Sequence, residues 1–140
     1  MSPHQRASGS GLSVGEHMKY TVLVVDDERI VADTLGIIFQ KRGFECQVAY
    51  TGVEAMSHIQ NFCPDLLLCD ITMPGMDGLN LASYVVSECP ECRVMLLTGH
   101  YTNLRLARQW AQEHPGRTQI MTKPVSPNLL LEEAEALLQT

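Results

Sequence analysis

Four short apolar runs in this chain each stop at a residue capable of chemistry. Asp26 and Asp27 follow Val22-Leu23-Val24-Val25, Asp70 follows Leu66-Leu67-Leu68-Cys69, Thr98 follows Val94-Met95-Leu96-Leu97, and Lys123 follows the run from Thr118 to Thr122. A carboxylate that closes an apolar run belongs where the run meets water, a cation or a ligand, because an isolated buried charge is very costly. Two carboxylates about 4 Å apart repel by roughly 4 kcal/mol at an effective dielectric of 20. Three converging aspartates therefore require a cation, and Lys123 offsets only part of the repulsion. A hard divalent ion with oxygen ligands fits. Mg²⁺ suits two or three carboxylates, retains waters and leaves room for a phosphoryl group. No histidine or cysteine set with zinc spacing accompanies the acids. A carboxylate beside Mg²⁺, with an ammonium and a hydroxyl opposite, can receive a phosphoryl group as an aspartyl phosphate. The chain lacks a Gly-x-x-x-x-Gly-Lys-Ser/Thr loop, so nucleotide binding through a P-loop has no support.

Such distant residues meet only if the runs are parallel strands whose C-terminal ends share one edge. Unbroken apolar runs without alternation read as strands covered on both faces, and open α/β sheets bind ligands at that edge. The first strand spans Tyr20 to Val25, and a helix follows from Glu28 to Arg42. In that helix Val31, Leu35 and Ile38 recur at helical spacing, with Ile30, Thr34 and Ile37 widening the stripe. Gly43 stops it. Gly36 inside it costs about 1 kcal/mol relative to alanine, and the sequence offers no reason for it. Phe44 to Tyr50 alternate, as in an edge strand. A helix from Gly52 to about Asn61 precedes the Asp70 strand.

The loop Ile71 to Gly78, with Pro74, Gly75 and Gly78, leads to a helix ending at Glu88. Arg93 to Leu97 form the fourth strand. A helix from about Thr102 to Glu113 carries Leu104, Ala107, Arg108 and Ala111 on one stripe. Thr118 to Thr122 form the fifth strand. Ser126 caps the last helix with Pro127 at its first position, and Leu130, Ala134, Leu137 and Leu138 make its inner face. Five strand–helix repeats call for a doubly wound parallel sheet with right-handed crossovers.

A chain of 140 residues with 45% apolar content suits one domain with a real core. No apolar run has the length of a membrane span, and the N-terminus lacks the pattern of a signal peptide, so a cytoplasmic location is expected. The net charge of −6 disfavours nucleic acid as a partner. Residues 1–17, rich in Ser and Gly, read as a flexible arm or a cloning remnant, and Met18 reads as a natural start. The five cysteines are odd in number and mostly lie in apolar runs, which suits reduced thiols better than a disulfide framework. Only Cys89 and Cys92, in CPEC, have a redox- or metal-like spacing, and no second pair exists to complete a zinc site.

The segments VLVVDDE at 22–28, LLLCDITMPGMDG at 66–78, LLTGH at 96–100 and MTKPV at 121–125 resemble the receiver domain of two-component response regulators. The resemblance covers residues 18–140. It implies a flavodoxin-like (βα)5 fold with strand order 2-1-3-4-5. Asp70 is then the phosphoacceptor. Asp27 ligates Mg²⁺ directly, Asp26 assists through water, and the Thr72 carbonyl is a further ligand. Lys123 pairs with the phosphoryl oxygens, Thr98 is the switch hydroxyl, and Gly99 keeps the approach to Asp70 open. Thr72 and His100 occupy positions that tune the lifetime of the acyl phosphate. The family usually carries Tyr or Phe three residues before the lysine. Ile120 stands there instead, without a ring to swing between exposed and buried positions.

The implied partners are a sensor histidine kinase or phosphotransfer protein and an unidentified downstream protein, with no membrane involved. The implied chemistry is confined to the domain's own Mg²⁺-dependent phosphorylation and dephosphorylation. Nothing after the fifth helix leaves room for an effector domain, so the chain is expected either to act alone or to be excised from a longer protein. Arg105, Arg108 and Trp110 are candidates for a partner surface, with Trp110 equally suited to helix packing. The principal rival is a receiver-like binding module that works without phosphate. An aspartate-nucleophile phosphatase is a weaker one, since Ile71 and Thr72 break the Asp-x-Asp pattern after Asp70.

Overall fold

The computed structural model describes residues 19–73, 75–99 and 101–139. The arm at 1–17 and the proposed role of His100 lie outside these residues. The elements in chain order are β1 (Thr21–Val25), α1 (Arg29–Lys41), β2 (Glu45–Ala49), α2 (Gly52–Asn61), β3 (Leu66–Asp70), α3 (Gly78–Glu88), β4 (Arg93–Thr98), α4 (Tyr101–Gln112), β5 (Thr118–Thr122) and α5 (Pro127–Leu138). All adjacent strands pair in parallel, in the order β2-β1-β3-β4-β5. This is the flavodoxin-like fold. Among the described residues no helix is long and apolar enough to cross a membrane.

Two core layers explain the unbroken apolar runs. Leu23, Val25, Leu67, Cys69, Val94 and Leu96 face α2, α3 and α4, where they meet Ala55, Ile59, Leu81, Val85 and Ala107. Their chain neighbours Val22, Val24, Leu66, Leu68, Met95 and Leu97 face the other way, onto Ala32 and Phe39 of α1 and Leu130, Ala134 and Leu137 of α5. Strands buried on both sides carry no polar alternation. The edge strand β2 alternates instead, with Glu45 and Gln47 exposed. The caps follow the sequence. Thr51 accepts from the Glu54 N–H at 3.0 Å, Asp77 from Asn80 at 2.8 Å and Ser126 from Leu129 at 3.1 Å.

Three expectations need correction. On α1 the buried stripe is Ala32, Gly36 and Phe39, while Ile30 and Ile37 are 83% and 52% exposed. Val31, Leu35 and Ile38 of the expected stripe are half-buried, Leu35 and Ile38 against this core, so the inward line runs one position further along the helix and takes in Phe39. Gly36 now has a cause: an added Cβ would lie 2.9 Å from Val48 Cγ2, so α1 approaches β2 too closely for alanine. On α4 the inward residues are Ala107 and Trp110, and Arg108 is exposed.

The cysteines are not all free thiols. Cys63, just past α2, is disulfide-bonded to Cys89, the C-cap of α3. Their Cα atoms are 5.7 Å apart, within the ordinary span of the bond. The C-terminal ends of α2 and α3 lie side by side and create this pair, and spacing along the chain cannot reveal it. Cys46, Cys69 and Cys92 remain thiols. Burial pushes the Cys92 thiol up to about 12, so CPEC supplies no ready thiolate. Closing a loop with a sequence separation of 26 constrains the unfolded chain. Reduction is therefore expected to lower stability by about 3 kcal/mol. Urea unfolding with and without dithiothreitol measures the difference, and intact mass under non-reducing conditions reports the bond.

Candidate functional site

The parallel sheet brings the C-terminal ends of β1, β3, β4 and β5 to one edge, and the chemically capable residues come with them. Asp26 follows β1 and is 1% exposed; Asp70 is the last residue of β3 and 7% exposed; Thr98 ends β4 at 1%. These are the buried polar residues among the described ones. Asp27 is exposed beside them. One carboxylate oxygen from each of Asp26, Asp27 and Asp70 lies within 4.8 Å of the others.

Lys123 follows β5 and reaches across the cluster. Its Nζ donates to Asp70 Oδ2 at 2.8 Å and to Asp26 Oδ2 at 3.2 Å. Burial by itself would lower the lysine pKa, but the hydrogen bonds and charges of Asp70 and Asp26 outweigh it and hold the ammonium above its ordinary value. The lysine is therefore a fixed cation. Its backbone N–H donates to the Thr98 carbonyl at 2.9 Å, so the position of the ammonium is tied to the end of β4.

Backbone donors orient the remaining carboxylate oxygens. Asp26 Oδ1 accepts from the Glu28 N–H, and Asp70 Oδ1 from the Thr72 N–H, both at 3.0 Å. Behind Asp70 the chain turns sharply: the Ile71 N–H donates to Leu97 O at 3.0 Å, and the Gly78 N–H to Ile71 O at 2.9 Å. Gly78 is the residue that permits this. A Cβ there would stand 2.3 Å from the Asp70 carbonyl oxygen and 2.7 Å from Ile71 Cα. At Gly99 an added Cβ would meet none of the described residues beyond its chain neighbours within 4 Å, so their packing does not demand that glycine.

Three acids and one ammonium leave the cluster with a formal excess of two negative charges. Its donors are hard oxygens, and the described residues offer no nitrogen or sulfur ligand in the group. That donor set fits a divalent cation of the Mg²⁺ type.

Asp26, Asp27, Asp70 and Lys123 are thus together, and Thr98 is buried one strand away from Asp70. Thr72 is exposed on the loop after β3. Ile120 is half-buried against the core layer that holds Trp110. Trp110 itself belongs to helix packing: its Nε1 donates to Ser83 Oγ at 2.9 Å, and its ring stacks on His114 at 3.8 Å. Arg105 and Arg108 remain exposed. One contact had no signal in the sequence. Asn103, in the first turn of α4, donates through Nδ2 to Thr72 Oγ1, across 31 positions of chain.

The profile of the response regulator receiver domain matches residues 22–135. Response regulator MprA of Mycobacterium bovis (strain BCG / Pasteur 1173P2) is 30% identical over 122 residues, covering 87% of this chain and 52% of that protein. MprA of Mycobacterium avium (strain 104) is 30% identical over 118 residues, covering 84% and 50%. The chain spans about half the length of the curated relatives it matches. Among solved structures, a CheY-like response regulator receiver domain protein from Methanospirillum hungatei JF-1 superposes with a TM-score of 0.78 at 26% identity, over 87% of this chain and 95% of that one. NtrX from Brucella abortus does so at 0.77 and 29%, over 87% of this chain and 27% of that one. With its acids and lysine gathered at the expected sheet edge, the chain belongs to the response regulator receiver domains of two-component signalling.

Proposed function

We propose that the domain, taken as residues 18–140, accepts a phosphoryl group on Asp70 from a histidine kinase or a phosphotransfer protein and thereby alters a protein-binding surface. The observation that carries this reading is the Lys123 ammonium 2.8 Å from Asp70 Oδ2 within a three-carboxylate cluster. Asp26, Asp27, Asp70 and the Thr72 carbonyl would hold Mg²⁺, which when bound supplies positive charge to the transferring oxygens. An Asp70 carboxylate oxygen attacks phosphorus. The new P–O bond forms as the P–N bond to the donor imidazole breaks, and the electron pair leaves with the ring nitrogen. Lys123 stands ready to donate to a phosphoryl oxygen as negative charge gathers there. Thr98 offers a hydroxyl from the next strand. The backbone N–H of Thr72 keeps Asp70 aimed.

Catalysis is confined to this transfer and the later hydrolysis of the acyl phosphate. No turnover of a metabolite is proposed. Arg105, Arg108 and Leu106, the last of these 46% exposed, form the surface proposed for a downstream protein. We place the chain in the cytoplasm.

Acetyl phosphate supplies the test, with acetate as the leaving group. Incubation with Mg²⁺ is expected to add one phosphoryl group by intact mass, and removal of the metal with EDTA to prevent it. A chain that gains no mass while still capturing a partner would instead be a constitutive binding module, a reading to which the ringless Ile120 lends some weight.

A further inference from the structure

Thr72 has two connections. Its N–H donates to Asp70 Oδ1 at 3.0 Å, and its hydroxyl oxygen accepts from Asn103 Nδ2 of α4. A hydroxyl has one proton to give. While an amide N–H occupies a lone pair of Oγ1, that proton remains available to another acceptor, and donation to the oxygen strengthens the bond it can make. Thr72 is held beside the phosphoacceptor by its own backbone N–H, which leaves its exposed hydroxyl to serve oxygens that phosphorylation would add to Asp70.

We propose that Asn103 is a positioning residue: it orients the Thr72 hydroxyl to donate to the phosphoryl group on Asp70, and so ties the first turn of α4 to the state of the site. The inference rests on the phosphoacceptor reading given above and deepens it. The connection runs Asp70–Thr72–Asn103 and does not pass through Ile120. It supplies α4 with a link to the site that needs no aromatic side chain. Asn103 touches Thr72 rather than the reacting atoms, so its effect must appear through Thr72.

The test uses the full 140-residue chain, with beryllofluoride plus Mg²⁺ as a phosphoryl mimic. Affinity is read by calorimetry, acyl-phosphate decay by intact mass, and folding by melting temperature. Asn103→Ala and Thr72→Val are each expected to weaken beryllofluoride binding and shorten the phosphoryl lifetime by about three- to tenfold, the range of one hydrogen bond. The double variant is expected to be no worse than the weaker single one, because both remove the same contact. Thr72→Ser, which restores the hydroxyl, is expected to recover most of the loss seen in Thr72→Val. Multiplying losses in the double variant would overturn the inference. So would unchanged beryllofluoride affinity beside a lowered melting temperature, which would make the contact a structural tie alone. A parent chain that neither binds the mimic nor loads phosphate would remove the phosphoacceptor reading itself, and this inference with it. The two failures therefore show in different proteins.

Discussion

An Asp70→Asn chain is expected to take up no phosphoryl group from acetyl phosphate and yet to melt at a higher temperature than the parent in metal-free buffer. The loss of uptake follows from removing the nucleophilic oxygen pair. The gain in stability follows from charge. Asp26 and Asp70 are both nearly excluded from water, lie within 4.8 Å of each other at one oxygen each, and share a single ammonium. At that distance and an effective dielectric of 20 their repulsion is of order 3 kcal/mol. The amide removes one of the charges while keeping an acceptor for the Thr72 N–H. Lys123 retains Asp26 at 3.2 Å.

The lost Lys123–Asp70 contact cancels most of the relief, which leaves a net gain of about 1 kcal/mol, or roughly 3 °C for a domain of this size. Added Mg²⁺ should narrow or reverse the difference, since only the parent keeps the full ligand set, and ligand binding stabilises the state that binds. Differential scanning fluorimetry with EDTA and then with Mg²⁺ measures both signs. A lower melting temperature for the variant in EDTA would show that the acids do not strain the fold. Function and stability pull this residue in opposite directions.

The strand ends could be read because a parallel sheet converts position in a run into position in space. Leu66 to Cys69 must be a doubly covered strand, so Asp70 must stand at the edge, and the same logic places Asp26, Thr98 and Lys123. What remained hidden depends on contacts between segments with no common periodicity. Asn103 meets Thr72 only because α4 starts above the loop after β3. Cys63 meets Cys89 only because α2 and α3 end side by side. The stripe of α1 is shifted for a related reason: Leu35 and Ile38 flank the core and Ile30 and Ile37 face outward, while the inward line runs through Ala32, Phe39 and Gly36, whose missing Cβ lets the helix approach Val48. Size and closeness of packing are different signals, and only the first is written in a single residue.

Gly78→Ala is expected to be the most damaging alanine substitution among the described glycines, lowering stability by about 4 kcal/mol or more, in the range reserved for a core or backbone clash. Its Cβ would fall 2.3 Å from the Asp70 carbonyl oxygen and 2.7 Å from Ile71 Cα, both backbone atoms. A side chain can turn aside, but backbone locked in a sheet cannot. Asp70 belongs to β3, which is paired on both sides, and the Ile71 carbonyl already accepts from the Gly78 N–H. Relief therefore requires α3 to withdraw at its first turn, where Asp77 caps it, and the loop carrying Thr72 must move with it. Gly36→Ala is the useful contrast. Its Cβ would meet the Val48 side chain at 2.9 Å, and the better helix propensity of alanine offsets about 1 kcal/mol of the cost, so a loss of about 1 kcal/mol is expected. Urea unfolding of both variants gives the comparison. Equal losses would mean that β3 and α3 yield as readily as one valine side chain. In that case the sharp turn behind Asp70 would not be what holds the phosphoacceptor in place.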